Sequence, residues 1–203
     1  MTLAFAQTTV AAFQPAPSTE SSTDESLIER IARRDQLAMR VLFARHRLRV
    51  YRFALRMVRD ESLAEDVLSD VFLDVWRQAD KFEARAAVST WLLAITRFKA
   101  LSATRRRLDV ELDDEMAAAI PDPADDPEVA LQHTNDAKLL RRCLIKLSPA
   151  HAEIIDLVYY HDKSVKEVAE IVGVSDATVK TRMFYARKKL AQLVEDAAPT
   201  TIH

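Results

Sequence analysis

Gly173 is the only glycine in a chain of 203 residues. Tight β-hairpins need positive-φ positions that glycine fills most cheaply, so a chain this poor in it is expected to be all-α. Gly173 stands inside SVKEVAEIVGVSDATVKTRMFYARKKL, residues 164–190, between two helical patterns. Ser164 and Glu167 have the spacing of a capping box at the start of the first pattern. Val165, Val168, Ala169 and Val172 then make one apolar face. Gly173 suits the left-handed position that ends a helix, and Ser175 can cap the second, whose apolar positions are Val179, Met183, Ala186 and Leu190.

At about 100° per residue, Ala177, Thr178, Thr181, Phe184, Tyr185 and Lys188 point away from that apolar side, with Lys180, Arg182 and Arg187 on its flanks. Small, hydroxyl and aromatic groups suit base edges, and flanking cations suit phosphates. Two capped helices about one glycine, the second with a basic outer face, predict a helix-turn-helix that sets its second helix in the major groove.

The formal net charge of −2 conceals a strong segregation of sign. Residues 27–107 carry 18 basic and 10 acidic groups and residues 137–203 carry 11 and 8, whereas residues 108–136 carry 10 acidic groups and none basic. Two positive helical blocks joined by a negative, proline-containing, flexible linker are therefore expected. Cys143, the single cysteine, permits no intrachain disulfide and suits a reducing compartment. No apolar run approaches the roughly 20 residues of a membrane span, and the N-terminus lacks the basic region of a signal peptide. Its Ala, Thr, Ser and Pro content predicts a disordered arm up to residue 24.

In the first block, Ser26 with Glu29 and Ser62 with Glu65 are possible capping boxes. A long pattern containing Leu37, Val41, Leu42, Leu48, Tyr51, Leu55 and Val58 lies between them. After Ser62, Leu63, Val67, Leu68, Val71, Phe72, Val75 and Trp76 form a packed face, leaving Glu65, Asp66, Ser69, Asp70 and Asp74 on the remainder. Asp66, Asp70 and Asp74 step by four, but no histidine or cysteine accompanies them, so an acidic docking face for a basic partner fits better than a metal site. Residues 80–89 form a connector, and a helix is expected from Trp91 to about Arg107, with Leu92, Ile95, Phe98 and Leu101 along it. An aromatic such as Trp91 near cations such as Arg105 and Arg106 can stack on unpaired bases or simply fill the core.

In the second block a helix over about residues 136–147 places Leu139, Leu140, Cys143, Leu144 and Leu147 on one side. Ser148 and Pro149 open the next helix, with Ile154, Ile155, Val158 and Tyr159 inward. His151 and His161 match no common zinc spacing and are expected at the surface or in capping positions.

Three stretches together resemble the extracytoplasmic-function (group 4) sigma factors of bacterial RNA polymerase. AEDVLSDVFLDVW, residues 64–76, is similar to the segment by which the family docks on the polymerase clamp helices. STWLLAITRFKALSATRRR, residues 89–107, is similar to its −10 recognition helix, and LSPAHAEIIDLVYYHDKSVKEVAEIVGVSDATVKTRMFYARKKL, residues 147–190, to its −35 recognition domain. The resemblance implies an arm (residues 1–24), a region 2 unit (25–107), an acidic linker (108–134), a region 4 unit (135–196) and a disordered tail (197–203). It implies that Asp66 and Asp70, with Glu65 and Ser69 beside them, bind the β′ clamp helices of core polymerase. Phe82, Arg85, Trp91, Arg97, Phe98, Lys99, Arg105 and Arg106 would then read the melted −10 element. Thr178, Lys180, Thr181, Arg182, Phe184, Tyr185, Arg187 and Lys188 would meet duplex −35 DNA. The sequence departs from the family at Phe98 and Ser102, where Asn and Asp are common.

The resemblance further implies a cytoplasmic, non-catalytic initiation subunit, monomeric when free, with no cofactor or metal and a cognate anti-sigma factor as partner. The competing expectation is a dimeric helix-turn-helix regulator that binds a palindrome without polymerase. An enzyme would have only the acidic triplet to rest on.

Overall fold

A computed structural model of the chain describes residues 22–111 and 135–197. Among the described residues there are eight α-helices and no strand. They run α1 (Asp24–Ala32), α2 (Gln36–Val58), α3 (Glu61–Gln78), α4 (Val88–Glu111), α5 (Asn135–Ile145), α6 (Pro149–Tyr159), α7 (Val165–Val172) and α8 (Asp176–Ala197), with a 3₁₀ turn at Ala79–Lys81. The expected arm, acidic linker and tail fall mostly on residues outside this range. None of the described helices is long and apolar enough to cross a membrane.

Helices α1–α4 enclose a first core. Leu27, Ile28, Ile31, Leu42, Val50, Val67, Val71, Phe72, Val75 and Leu92 are buried there, and Trp91, Ile95 and Phe82 pack on it. Truncating one such leucine or isoleucine to alanine costs about 2–5 kcal/mol. Two helix starts differ from the sequence expectation. Thr23, not Ser26, caps α1, its side chain accepting from the Ser26 amide. Asp60, not Ser62, caps α3: it accepts from the Leu63 amide at 2.9 Å and from the Arg107 guanidinium at 2.8 Å. The second bond decides between the two caps, because it also ties α4 to the start of α3. Asp35 caps α2 through the Leu37 and Ala38 amides and pairs with Arg30.

Helix α4 begins at Val88, three residues before Trp91, and continues through Glu111, past the expected end at Arg107. Phe98 and Leu101, expected among its apolar positions, are 69% and 42% exposed. The helix already has two buried sides. Val88, Leu92 and Ala100 enter the first core, while Leu93 joins the second, so a third side is left to solvent.

The second block packs α6, α7 and α8 around Ile154, Leu157, Val168, Ile171, Val172, Val179 and Met183. Cys143 is buried, and Leu147, Ile155 and Ala186 form a smaller cluster under α5 and α8. The capping box of α7 forms in both directions between Ser164 and Glu167. Gly173 ends α7 at φ +74°, and Ser175 accepts from the Thr178 amide at the start of α8. Leu140 and Tyr159, expected inside, are 41% and 53% exposed. His161, expected at the surface, is 4% exposed, because the first block covers it: Phe53 of α2 stands edge-on to its ring.

Glycine scarcity leaves its trace in the turns. Arg34, Arg59, Ala84 and Asp162 all adopt positive φ. A left-handed position costs a residue with a Cβ about 1–2 kcal/mol, so surrounding contacts must hold each of these turns. Ala84 is the instructive one, since it strains the loop between the 3₁₀ turn and α4.

Candidate nucleic-acid interface

Helix α8 presents the expected face. Val179, Met183 and Ala186 are buried, and Lys180, Thr181, Phe184, Tyr185, Arg187 and Lys188 are exposed, with Thr178 and Arg182 half-buried. The Phe184 and Tyr185 rings meet edge to face at 5.4 Å, and Arg187 stacks 5.6 Å over Tyr159. Lys180, Met183, Phe184, Arg187 and Lys188 line an open groove with an apolar floor and a basic rim. The helix is anchored by its inner side and uncovered along its outer one, as insertion into a duplex groove requires.

The residues expected to meet an opened strand are divided. Phe82 packs on Trp91 with ring centroids 5.0 Å apart, fixing the strained loop against α4, and Trp91 is only half-exposed. Arg85 is open to solvent and pairs with Glu83 at 2.5 Å. Phe98, Arg105 and Arg106 are exposed. Lys99 and Arg97, by contrast, are engaged. Lys99 pairs with Asp74 at 2.8 Å, which takes Asp74 out of the acidic triplet and gives it an internal task. Arg97 pairs with Glu153 of α6 at 2.7 Å.

On α3, Glu65, Asp66, Ser69 and Asp70 are all exposed. Leu73 follows in the same helical register at 43% exposure, so the outer side of α3 carries an apolar group beside its acids. Among the described residues no cluster of three or more His, Cys, Asp or Glu side chains is arranged to hold a metal ion.

A contact between the blocks escaped the sequence. The Lys163 ammonium, its side chain 5% exposed, donates to Ser89 Oγ at 2.7 Å, Thr90 Oγ1 at 2.9 Å and Glu167 Oε1 at 2.9 Å. Thr90 in turn donates to Glu167 Oε1 at 2.7 Å. Burial alone would raise the Glu167 pKa, but hydrogen bonds from Thr90, Lys163 and Ser164 outweigh it and hold the carboxyl at about 2. Nearby, Arg56 of α2 pairs with the buried Asp156 and stacks on Tyr160. His161 is pushed down to about 4 by burial and by the charges of Arg56, Arg49 and Lys163. The Asp156 Oδ2 atom lies 3.3 Å from the ring's Nε2, while its Oδ1 faces Arg56. No local pattern announced these groups, because their partners in the first block lie more than 70 residues away.

Comparison with known proteins agrees with this geometry. Residues 42–108 match sigma-70 region 2 and residues 137–190 match sigma-70 region 4. The ECF RNA polymerase sigma factor SigK of Mycobacterium tuberculosis (strain ATCC 25618 / H37Rv) is 28% identical over 182 residues, 88% of this chain and 97% of that protein. SigK of Mycobacterium sp. (strain KMS) is 29% identical over 160 residues, 77% of this chain and 83% of its own. Among solved structures, the sigma factor RpoE in complex with the anti-sigma factor NepR from Bartonella quintana superposes with a TM-score of 0.65 at 26% identity. It covers 76% of this chain and 95% of that one. CnrH, solved with the cytosolic domain of CnrY, shares the fold at a TM-score of 0.63 and 24% identity, covering 86% and 99%. With both regions matched in order, and with relatives of one kind along most of its length, the chain belongs to the extracytoplasmic-function group of the sigma-70 family.

Proposed function

We propose that this chain is an alternative sigma factor that binds core RNA polymerase and directs promoter-specific initiation without catalysis of its own. The observation that carries the reading is the pairing, in one chain, of an uncovered basic recognition helix, α8, with a second basic unit that matches region 2. On this reading the units span residues 25–107 and 135–196. The exposed side of α3, with Glu65, Asp66, Ser69 and Asp70, docks on the clamp helices of the β′ subunit. Thr178, Lys180, Thr181, Arg182, Phe184, Tyr185, Arg187 and Lys188 meet the duplex −35 element. Phe82, Arg85, Trp91, Arg97, Phe98, Lys99, Arg105 and Arg106 receive the opened −10 strand, where binding an unstacked base offsets the few kcal/mol that unstacking costs. RpoE was solved with the anti-sigma factor NepR, and the same manner of control, by an anti-sigma factor, is assigned to this chain. It acts in the cytoplasm, as a monomer until it meets polymerase.

The deciding experiment is run-off transcription from a promoter library with purified core polymerase. New, chain-dependent start sites are expected. Asp66→Arg with Asp70→Arg should abolish polymerase binding while circular dichroism stays unchanged, since both side chains are exposed. Unchanged affinity removes the docking face, and a symmetric dimer bound to a palindrome without polymerase removes the whole reading.

A further inference from the structure

Helix α2 has a second apolar side. Its inner side holds Leu42, Val50 and Phe53. At about 100° per residue, Leu37, Val41, Ala44, Leu48, Tyr51 and Leu55 line up on the opposite side, at alternating spacings of four and three. That spacing is the seam by which one helix receives another. Leu37 and Leu48 are 53% and 48% exposed, and Ala44 is exposed between them. Arginines flank the seam, Arg40 and Arg47 on one edge and Arg45 and Arg52 on the other. A second copy of the chain would bring these cations against their own kind, which is unfavourable. Residues 1–21 carry no basic group and one acidic one, Glu20. Within them Leu3, Ala6, Val10 and Phe13 repeat the complementary spacing of three, four and three, ahead of Pro15 and Pro17. A helical segment that short is marginal in water and needs a surface to form on. The start of α1 points it to this one. The Ser22 carbonyl accepts from Arg45 at 2.7 Å, and Asp24 accepts from Arg45 at 2.9 Å and lies 2.6 Å from His46 Nε2. The preceding chain therefore sets out from the Arg45 edge of the seam.

We propose that residues 3–13 dock as a helix on the outer seam of α2, along Leu37 to Leu48, and that core polymerase must displace them to reach α3. The lengths agree: about 15 Å for residues 3–13 and about 17 Å for Leu37 to Leu48, at 1.5 Å per residue. Residues 14–21 reach about 27 Å when extended, enough to lay the segment along the seam. The acidic side of α3 runs beside it. Phe43 of α2 meets Phe72 of α3 at 4.8 Å, and burial, with Glu61 and Glu65 at the start of α3, holds the Tyr51 hydroxyl above its usual pKa. The role toward polymerase rests on the function proposed above; the docking itself does not. A short tether gives an effective concentration of about 1 mM, so a contact with a Kd of about 0.1 mM is closed in about nine molecules of ten. A site open in only one molecule of ten shows about a tenfold weaker apparent affinity.

The test is amide hydrogen exchange of the full chain, followed by mass spectrometry over residues 3–13. Two double variants break the contact from opposite sides: Val10→Asp with Phe13→Asp in the arm, and Leu37→Asp with Leu48→Asp on the seam, where both leucines are exposed and circular dichroism should stay unchanged. Exchange in the unsubstituted chain should be about tenfold slower than in either variant. Affinity for core polymerase should rise about tenfold in the arm variant, which leaves α2 and α3 intact. Exchange equally fast in all three chains overturns the docking, as does slow exchange that survives the seam substitutions. Protection that grows with protein concentration gives the seam to a second copy. Protection of the seam that appears only when core polymerase is added gives it to polymerase, and either result overturns the proposal. Docking with no gain in polymerase affinity on its loss overturns the inhibitory role. Run-off transcription with core polymerase reads the sigma assignment separately, since that assignment survives any of these failures if chain-dependent transcripts appear.

Discussion

Glu167→Gln is the substitution whose consequence follows most directly from the geometry. Both carboxylate oxygens are fully used: Oε1 accepts from Thr90 and Lys163, and Oε2 accepts from the Ser164 amide at 3.0 Å and hydroxyl at 2.8 Å. Glutamine keeps the shape but turns one acceptor into a donor facing donors. A carboxyl lowered from 4.5 to about 2 favours the charged form in the folded state by about 3 kcal/mol. The side chain is 29% exposed, and solvent screening reduces that to about 2 kcal/mol. Because the folded pKa lies below the unfolded one, this stabilisation is complete above pH 4.5 and is lost as the pH falls toward 2. Urea denaturation followed by circular dichroism should show the variant about 2 kcal/mol less stable at neutral pH, with the difference shrinking through that acid window. Thr90→Val belongs in the same series. If Glu167 acts across the boundary, the double variant should show a coupling of about 1 kcal/mol. A pH-independent difference, or strictly additive effects, would refute the argument that Glu167 is held ionised by the other block.

Three further outcomes are expected. Arg182→Ala should weaken −35 duplex binding by about 1–3 kcal/mol if it contacts a base, or lower the salt slope by about one if it meets only phosphate; filter binding across a salt series distinguishes the two, and no change removes it from the interface. Phe98→Ala should leave stability within about 0.5 kcal/mol, since the ring is 69% exposed, while reducing run-off transcription from promoters that need an opened −10 element. Gly173→Ala should cost about 1 kcal/mol in thermal denaturation, through its φ of +74° alone, because nothing lies within 4 Å of where a Cβ would stand.

What was legible in the sequence was local. The Ser164–Glu167 box, the Gly173 stop and the division of α8 into inner and outer faces each depend on residues three or four apart, where periodicity carries the information. Where two local signals competed, a distant residue decided. Asp60 prevails over Ser62 as a cap because Arg107, 47 positions on, binds it as well. Nothing local marks His161 as buried, because its cover is Phe53 of the other block, and Phe98 and Leu101 are exposed because α4 serves two cores and has only one side left. Charged side chains were the least legible. Arg97, Lys99 and Asp74 all lie in patterns that suit an outward-facing role, yet each has an internal partner.

That distinction bears on how a chain with almost no net charge can hold two DNA-facing surfaces. Its positive blocks do not simply repel, because Glu153, Asp156 and Glu167 in the second block answer Arg97, Arg56 and Thr90 in the first. Polar pairs of this kind contribute little net stability compared with an apolar seam, but each is costly to leave half-made. A boundary built from them is specific when closed and separable when a partner or solvent replaces both halves. A continuous apolar seam would bind the units more tightly and would leave exposed hydrophobic surface once parted. Leu93 and Phe53 are the main apolar groups that the first block commits to this boundary.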